Sequence, residues 1–187
     1  MKSIVPLGWW AAWAAMAGAT FLIGAAATDP EEELRAATVL SFLRYSEWPA
    51  APSGDPSLTV GVFGRPSLVL TFRRALEGKI VENRPVKVVE LPAELASNCC
   101  QIVFVAAEKP ADLKTALALA HSLHALTIGV ADQFLDLGGA IQLLIIDGRM
   151  SFEVNRGALD SSGITISSKL LRFGQIHGAG KGDRRYE

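Results

Sequence analysis

Residues 101–106 have the sequence QIVFVA, a short apolar run that decides the fold class. A run of this length without polar alternation is typical of a strand that is buried on both faces, as in a parallel sheet. A helix is predicted from Pro110, and a second apolar strand follows at Leu126–Val130. The apolar stripe of that helix is formed by Leu113, Leu117 and Ala120. A strand, a helix and a strand at this spacing indicate an α/β domain with parallel strand pairs.

The same pattern precedes residue 101. Alternating Leu58, Val60 and Val62 predict a strand that ends at Gly64. Pro66 then begins a helix that Gly78 ends, with an apolar stripe at Leu68, Phe72, Ala75 and Leu76. Val86–Leu91 is predicted to be a strand, and Pro92–Ala96 a short helical turn.

The end of the sheet is predicted to be antiparallel. Ile141–Ile146 and Arg149–Val154 flank Asp147 and Gly148, a pair suited to the two positive φ angles of a type I′ hairpin turn. We therefore expect a single α/β domain with a mixed, mostly parallel sheet, flanking helices and a C-terminal antiparallel hairpin.

The first helix of this domain is predicted from its capping residues. Asp29 is a candidate N-cap, Pro30 occupies the first helical position, and Glu32 stands three residues after the cap, as in a capping box. The apolar stripe comprises Ala36, Val39, Leu40 and Leu43. We expect the helix to end at Trp48-Pro49.

The two ends of the chain are predicted to lie outside this domain. Residues 1–27 resemble a secretory signal peptide, with one early cation at Lys2, an apolar middle and an A-x-A arrangement at Ala25 and Ala27. The competing interpretation is an uncleaved anchor, because the apolar run from Ile4 to Ala27 approaches the ~20 residues that span a bilayer. Either outcome places the domain, residues 28–177, outside the cytoplasm. The glycine-rich, charged tail, residues 178–187, is expected to be disordered.

Charge and motifs narrow the classes of function. The chain has 18 Lys and Arg against 19 Asp and Glu, so it lacks the basic field that nucleic acids require. It has neither a nucleophile elbow nor a phosphate-binding loop, and we expect no enzyme, no catalytic residues and no cofactor. His121 and His124 are three residues apart and could share a metal with Asp112 and His177, but nothing fixes those further ligands, so no metal site is predicted.

The two cysteines, Cys99 and Cys100, are adjacent. A bridge between neighbours is strained and constrains almost no chain, so a structural disulfide between them is not expected. The simplest interpretation is one small buried thiol beside a second thiol, and an intermolecular bridge is the alternative.

Two segments are candidate binding surfaces. The first is the end of the first helix, with Arg44, Glu47 and Trp48, because Arg and Trp are favoured interface anchors. The alternative for Trp48 is core packing at a helix end. The second is the segment 164–173, ITISSKLLRF, in which Ser167, Lys169 and Arg172 offer a hydroxyl and two cations to an anionic ligand or an acidic partner. Its alternative is a last packed element with a solvated face.

Several runs in order resemble the YfiR family. They are RYSEWP at 44–49, LEGKIVENRPVKVVEL at 76–91, CQIVFVA at 100–106, GGAIQLLIIDGRMSFEVNRGAL at 138–159, and ISSKLLRF at 166–173. The resemblance implies a periplasmic α/β protein, often a homodimer, that holds an inner-membrane diguanylate cyclase inactive. It further implies an outer-membrane lipoprotein that sequesters the repressor and thereby raises cyclic di-GMP and favours biofilm.

The resemblance has one informative departure. Family members often carry a cysteine in the first strand, bridged to the cysteine before QIVFVA, and this chain has Gly61 at the first position and Cys100 at the second. A further pair near the late hairpin has no counterpart, so redox switching is not carried over. An alternative function is a small-molecule sensor with a pocket at the carboxyl ends of the parallel strands, formed by Gly64, Arg65 and the loop after Val130.

Overall fold

The fold is taken from a computed structural model that describes residues 29–48, 56–92 and 100–178. The expected signal peptide at 1–27 lies outside the described residues. So do Cys99, the expected turn at 92–96 except for Pro92, and the expected tail at 178–187 except for Gly178.

The described residues form five helices and ten strands. The helices are α1 (Pro30–Arg44), α2 (Pro66–Leu76), α3 (Pro110–Ser122), α4 (Arg156–Ser162) and α5 (Ser168–Leu171). The first five strands are β1 (Ser46–Glu47), β2 (Leu58–Phe63), β3 (Ile80–Val81), β4 (Arg84–Leu91) and β5 (Ile102–Val105). The other five are β6 (Leu126–Gly129), β7 (Ile141–Ile146), β8 (Arg149–Val154), β9 (Thr165–Ile166) and β10 (Gln175–Ile176).

Eight of these strands form one mixed sheet in the order β10-β8-β7-β6-β5-β2-β4-β3. Four neighbouring pairs are parallel: β4 with β2, β2 with β5, β5 with β6, and β6 with β7. Two pairs are antiparallel: β7 with β8, and β3 with β4. The remaining strands, β1 and β9, pair with each other in a separate antiparallel ribbon. The predicted α/β class and the mixed, mostly parallel sheet are confirmed.

The sheet contains two tight hairpin turns, and the sequence predicted one of them. Asp147 and Gly148 have φ angles of 51° and 71°, as the predicted type I′ turn between β7 and β8 requires. Between β3 and β4, Glu82 and Asn83 take the same left-handed region, with φ angles of 49° and 60°. This second turn lacks glycine, and the prediction therefore began β4 at Val86 instead of Arg84.

The two faces of the sheet carry separate hydrophobic clusters. One cluster joins α1 and α2 to the sheet and contains two aromatic pairs, Phe42 with Phe152 at 5.2 Å and Phe72 with Phe104 at 4.6 Å between ring centroids. The other cluster lies under α3 and includes Phe134, which is fully buried. The helices on both faces explain why β5, the QIVFVA strand, is buried along its whole length.

The first helix begins as predicted and ends earlier. The Asp29 carboxylate accepts a hydrogen bond from the Glu31 amide at 3.0 Å, which confirms the N-cap. The helix ends at Arg44, and the expected end at Trp48-Pro49 is wrong because the chain leaves the helix at Tyr45 and enters β1, which pairs with β9.

The capping box expected at Glu32 is also wrong. Its carboxylate is buried at 3 % exposure and accepts hydrogen bonds from the Arg65 guanidinium and, at 3.1 Å, from the Thr71 hydroxyl. Arg65 stands just before α2 and Thr71 lies within it. Glu32 therefore connects α1 to α2, a role that a buried acid can take because both of its oxygens are hydrogen-bonded.

A candidate binding surface at the end of α1

The ribbon of β1 and β9 brings the two predicted binding segments together. Ser46 lies opposite Ile166 and Glu47 opposite Thr165, and the Ser167 amide donates to the Tyr45 carbonyl at 2.7 Å. Because side chains alternate across a strand, the ribbon has an inner and an outer face. Ser46 and Ile166 are buried on the inner face, and Tyr45, Glu47 and Thr165 are exposed on the outer one.

An open depression of about 470 Å³ lies against this ribbon. It is lined by Arg44, Tyr45, Ser46, Glu47, Glu82, Thr165, Ile166, Ser167, Ser168 and Lys169. Four of the six predicted site residues, Arg44, Glu47, Ser167 and Lys169, are thus neighbours although more than a hundred residues separate the two segments. Glu82, from the turn between β3 and β4, was not predicted, because nothing in the local pattern places that turn beside the end of α1.

The depression has mixed charge. Arg44 and Lys169 supply two exposed cations, and Glu47 and Glu82 supply two exposed carboxylates. The Ser167 hydroxyl caps α5 by accepting from the Lys169 amide at 3.3 Å, which orients the start of this short helix. Alternating charges of this kind favour a partner surface that carries both signs over a simple anion.

Arg172 lies outside the lining of the depression, three residues beyond Lys169. Its guanidinium carbon stands 5.0 Å from the centre of the Phe173 ring, a cation–π distance. Phe173 is 66 % exposed, the largest value among the exposed large hydrophobic residues of the described ranges. The sequence prediction missed Phe173, although an aromatic residue directly after a predicted cation was a usable signal.

Trp48 is not part of the exposed surface that was expected. It is 9 % exposed, packs in the cluster between α1 and the sheet, and its indole nitrogen donates to the Leu43 carbonyl at 2.9 Å. That carbonyl belongs to the last turn of α1, where backbone acceptors lack helical partners. The core-packing alternative therefore describes Trp48, and the exposed residues are Arg44 at the end of α1, Tyr45 after it and Glu47 in β1.

The inner face of the ribbon carries an unusual polar atom. The Ser46 hydroxyl is buried and has no hydrogen-bond partner among the described residues. A buried hydroxyl without a partner costs about 1–3 kcal/mol of desolvation. Ser46 also lines the depression, but its hydroxyl oxygen is buried on the inner face of the ribbon, so the desolvation cost falls on the packing at that face.

Replacing Ser46 with alanine should therefore stabilise the protein. We expect the free energy of unfolding to rise by about 1 kcal/mol in urea titrations, because the unpaired hydroxyl is removed and the backbone pairing with Ile166 is kept. Ser41→Ala is the matched control, since the Ser41 hydroxyl donates to the Ala37 carbonyl at 3.2 Å. A loss of stability in Ser46→Ala would show that the hydroxyl is paired in solution.

The pocket considered at the ends of the parallel strands is arranged differently from the expectation. The Arg65 guanidinium is engaged by Glu32 and by the Ser67 hydroxyl, on the side of the sheet that α1 covers. The loop after Val130 contributes Phe134 and Leu135 to the cluster under α3. Arg65 and this loop thus pack on opposite faces of the sheet, and they do not form a common pocket. The candidate depression lies beside the ribbon of β1 and β9.

The histidines considered as metal ligands are dispersed. His121 and His124 are exposed at the end of α3, and His177 lies between Glu153 and Asp136. Within residues 29–48, 56–92 and 100–178, no group of three or more His, Cys, Asp or Glu side chains is arranged to hold a metal ion.

Cys100 is buried at 4 % exposure, two residues before β5. A Cβ atom placed on Gly61 of the neighbouring β2 would stand 3.0 Å from its sulfur and 2.5 Å from a methyl of Leu91. The two positions that the family resemblance pairs are therefore adjacent in this fold, and Leu91 fills the space that a second cysteine would need.

The fold defines a class: a single α/β domain with a mixed sheet, which carries a composite polar depression beside the ribbon of β1 and β9. A family model described as YfiR/HmsC-like matches residues 32–175, which include nearly all of the described elements. The chain belongs to the YfiR/HmsC-like family, whose members are regulators rather than enzymes. No curated protein matches the chain. In the described part of the chain, no helix has the length and apolar character to cross a membrane.

Proposed function

We propose that the protein is a periplasmic regulator that binds and represses a membrane-bound diguanylate cyclase, and so lowers cyclic di-GMP and restrains biofilm formation. The observation that carries this proposal is the family match over residues 32–175. The proposal includes export by a signal peptide at residues 1–27, a domain at 28–177 and a flexible tail at 178–187. Export would be tested by N-terminal sequencing of the periplasmic protein, for which we expect Thr28 as the first residue.

The surface proposed for partner binding combines the depression with the end of α5. Arg44, Lys169 and Arg172 supply its cations, Glu47 supplies an acid, and Phe173 supplies exposed apolar area. Arg and aromatic side chains are enriched in interfaces because they bury a large area and can form several directed contacts. The same surface is available for self-association or for an outer-membrane lipoprotein that releases the cyclase, both of which we include as proposed partners.

The first experiment is capture from solubilised inner membrane. The purified protein is immobilised, and the retained membrane proteins are identified by mass spectrometry, with a heat-denatured sample of the same protein as the control. We expect reproducible recovery of a diguanylate cyclase, and the purified cyclase should lose activity when the protein is added. Capture without any diguanylate cyclase would overturn the repressor proposal.

Charge reversal tests the surface itself. Lys169→Glu should weaken binding to the captured cyclase about tenfold, since the loss of one cation and the gain of one anion cost ~1.4 kcal/mol at a partly exposed interface. Lys114→Glu, an equal change at an exposed position of α3 on the other side of the sheet, should leave the affinity unchanged. Equal affinities for the two variants, measured by biolayer interferometry, would exclude the depression as the binding surface.

A second function, periplasmic small-molecule sensing, is favoured by the size of the depression. Its volume of about 470 Å³ falls within the range of ligand pockets, and hydroxyl groups and both charge signs converge on it. A screen of metabolites by thermal shift would detect such a ligand as a rise in melting temperature. Lys169→Glu should abolish that rise if the ligand binds in the depression.

A further inference from the structure

The hairpin of β7 and β8 projects beyond its neighbours in the sheet. β7 runs to Ile146, but its pairing with β6 ends at Gln142. On the other side, β10 pairs with β8 only at Glu153 and Val154. Among the described strands, none is paired with the remaining part of the hairpin, residues 143–152, apart from its own two strands. We call this part the hairpin arm.

One face of the arm packs on the core and the other does not. Leu143 and Phe152 belong to the cluster that α1 and α2 cover. Because side chains alternate along a strand, Ile146, Arg149 and Ser151 point to the opposite face. On that face α3 packs on β5 and β6, and the cluster beneath it contains no residue of β7 or β8 within the described ranges. The second hydrophobic cluster therefore stops short of the arm.

This outer face of the arm has an apolar centre with a charge of each sign beside it. An open depression of about 490 Å³ lies against Ile146, Asp147, Arg149 and Ser151. Ile146 is 49 % exposed and is the cross-strand partner of Arg149. Asp147 begins the turn between them, and both charged residues are exposed. A carboxylate, a guanidinium and an exposed aliphatic side chain thus lie within one hairpin turn.

This combination is self-complementary. In a contact between two copies about a twofold axis, the same patch lies on both sides, so residue i contacts j and j contacts i. With the axis beside Ile146, the two isoleucine side chains pack together, and each Arg149 faces Asp147 of the partner subunit. Both ion pairs attract, and the patch has no excess of one charge sign that would repel a second copy.

We propose that the outer face of the hairpin arm is a self-association surface, on which a second copy of this chain docks about a twofold axis through Ile146, Asp147 and Arg149. The patch is small compared with the ~800 Å² that each partner buries in a stable interface. The dimer is therefore weak, and its population depends on the protein concentration.

The arm lies at the opposite edge of the sheet from the depression beside β1 and β9. β4, β2, β5, β6 and β7 are parallel neighbours, so the start of β4 and the end of β7 lie at opposite edges. Glu82, in the turn before β4, lines the depression beside the ribbon, whereas Ile146 ends β7. A dimer formed through the arm leaves that depression open to other partners, and it does not depend on the proposed cyclase.

Sedimentation equilibrium of the purified protein tests the proposal. Between about 5 and 500 µM we expect a reversible monomer–dimer equilibrium with a dissociation constant on the order of 100 µM, as a small interface gives. A wild-type protein that stays monomeric over this range would overturn the proposal and leave the outer face of the arm to a different partner.

Charge exchange tests the contact itself. Arg149→Glu places acids opposite each other across the axis, and Asp147→Lys places cations there, so each variant alone should dimerise at least about tenfold more weakly. An equimolar mixture of the two variants should regain the wild-type dissociation constant, because every contact across the axis again joins opposite charges. A mixture that stays monomeric, or an Arg149→Glu variant that dimerises like the wild type, would exclude the arm as the contact.

Two further variants separate the contact from the fold and from the proposed function. Asp147→Asn keeps a residue suited to the positive φ angle of 51° and removes the charge, so it should weaken the dimer less than Asp147→Lys does. Lys169→Glu, which changes the depression beside β1 and β9, should dimerise like the wild type while it weakens cyclase binding. Self-association and cyclase repression therefore fail independently of each other in these measurements.

Discussion

Replacing Trp48 with alanine should lower the free energy of unfolding by about 3–5 kcal/mol, the usual cost of removing a large buried aromatic side chain. The indole is 9 % exposed, packs against the core beneath α1 and donates to the Leu43 carbonyl. The variant loses this packing and also exposes a carbonyl at the end of the helix to a cavity. Urea denaturation followed by circular dichroism measures the change.

Trp48→Phe is the matched variant. Phenylalanine keeps most of the buried area but lacks the N–H donor, so we expect a smaller loss of about 1–2 kcal/mol. Partner affinity per folded molecule should be unchanged in Trp48→Phe. A variant of Trp48 that keeps full stability and loses partner binding would restore the interpretation of Trp48 as an interface anchor.

The second large effect is expected at Phe134, which is fully buried in the cluster under α3. A Cβ atom on Gly129 would stand 2.5 Å from this ring, and one on Gly139 would overlap it, so the ring packs directly on the backbone of both glycines. Phe134→Ala should cost about 3–5 kcal/mol of unfolding free energy. Thermal or urea denaturation followed by circular dichroism measures this loss.

A double-mutant cycle identifies the contact between the ring and the backbone. In the wild-type background, Gly139→Ala should cost about 1–3 kcal/mol, since the added methyl group displaces the ring. In the Phe134→Ala background the methyl group enters the vacated space, and the cost should disappear. Equal costs of Gly139→Ala in both backgrounds would show that strain at Gly139 arises elsewhere.

The elements that the sequence predicted well are those with a local cause. The buried strand β5, the stripe of α3 and the Asp147-Gly148 turn follow from burial on two faces, from helical periodicity and from backbone conformation. Each depends on residues within a few positions of one another. Tertiary packing therefore had little opportunity to override these local preferences.

The elements that the sequence missed depend on distant partners. β1 has two residues and no period of its own, and it is a strand because β9 lies beside it. Glu32 has the position of a capping-box acid, but the Arg65 guanidinium and the Thr71 hydroxyl draw its carboxylate toward α2. Residue type and spacing are the same for a solvated acid and for a buried, hydrogen-bonded one.

The residues of the candidate site were predicted only in part, because their grouping also depends on contacts between distant parts of the chain. Arg44, Glu47, Ser167 and Lys169 were selected one by one as polar residues at the ends of elements, and the structure gathers them around one depression. Trp48 was selected for its residue type, which suits an interface and a core equally well. Only the burial of the indole distinguishes the two roles.

The pairing of β1 with β9 joins residues near the two ends of the described domain. Ser46 and Ile166 are opposite each other although 120 positions separate them along the chain (166 minus 46). Contacts between such distant residues form only after the intervening chain is available and largely ordered. A chain still emerging from a ribosome or a translocation channel lacks the surface that we propose for binding, so a partner that recognises this surface would select chains that extend past Ile166 and have folded.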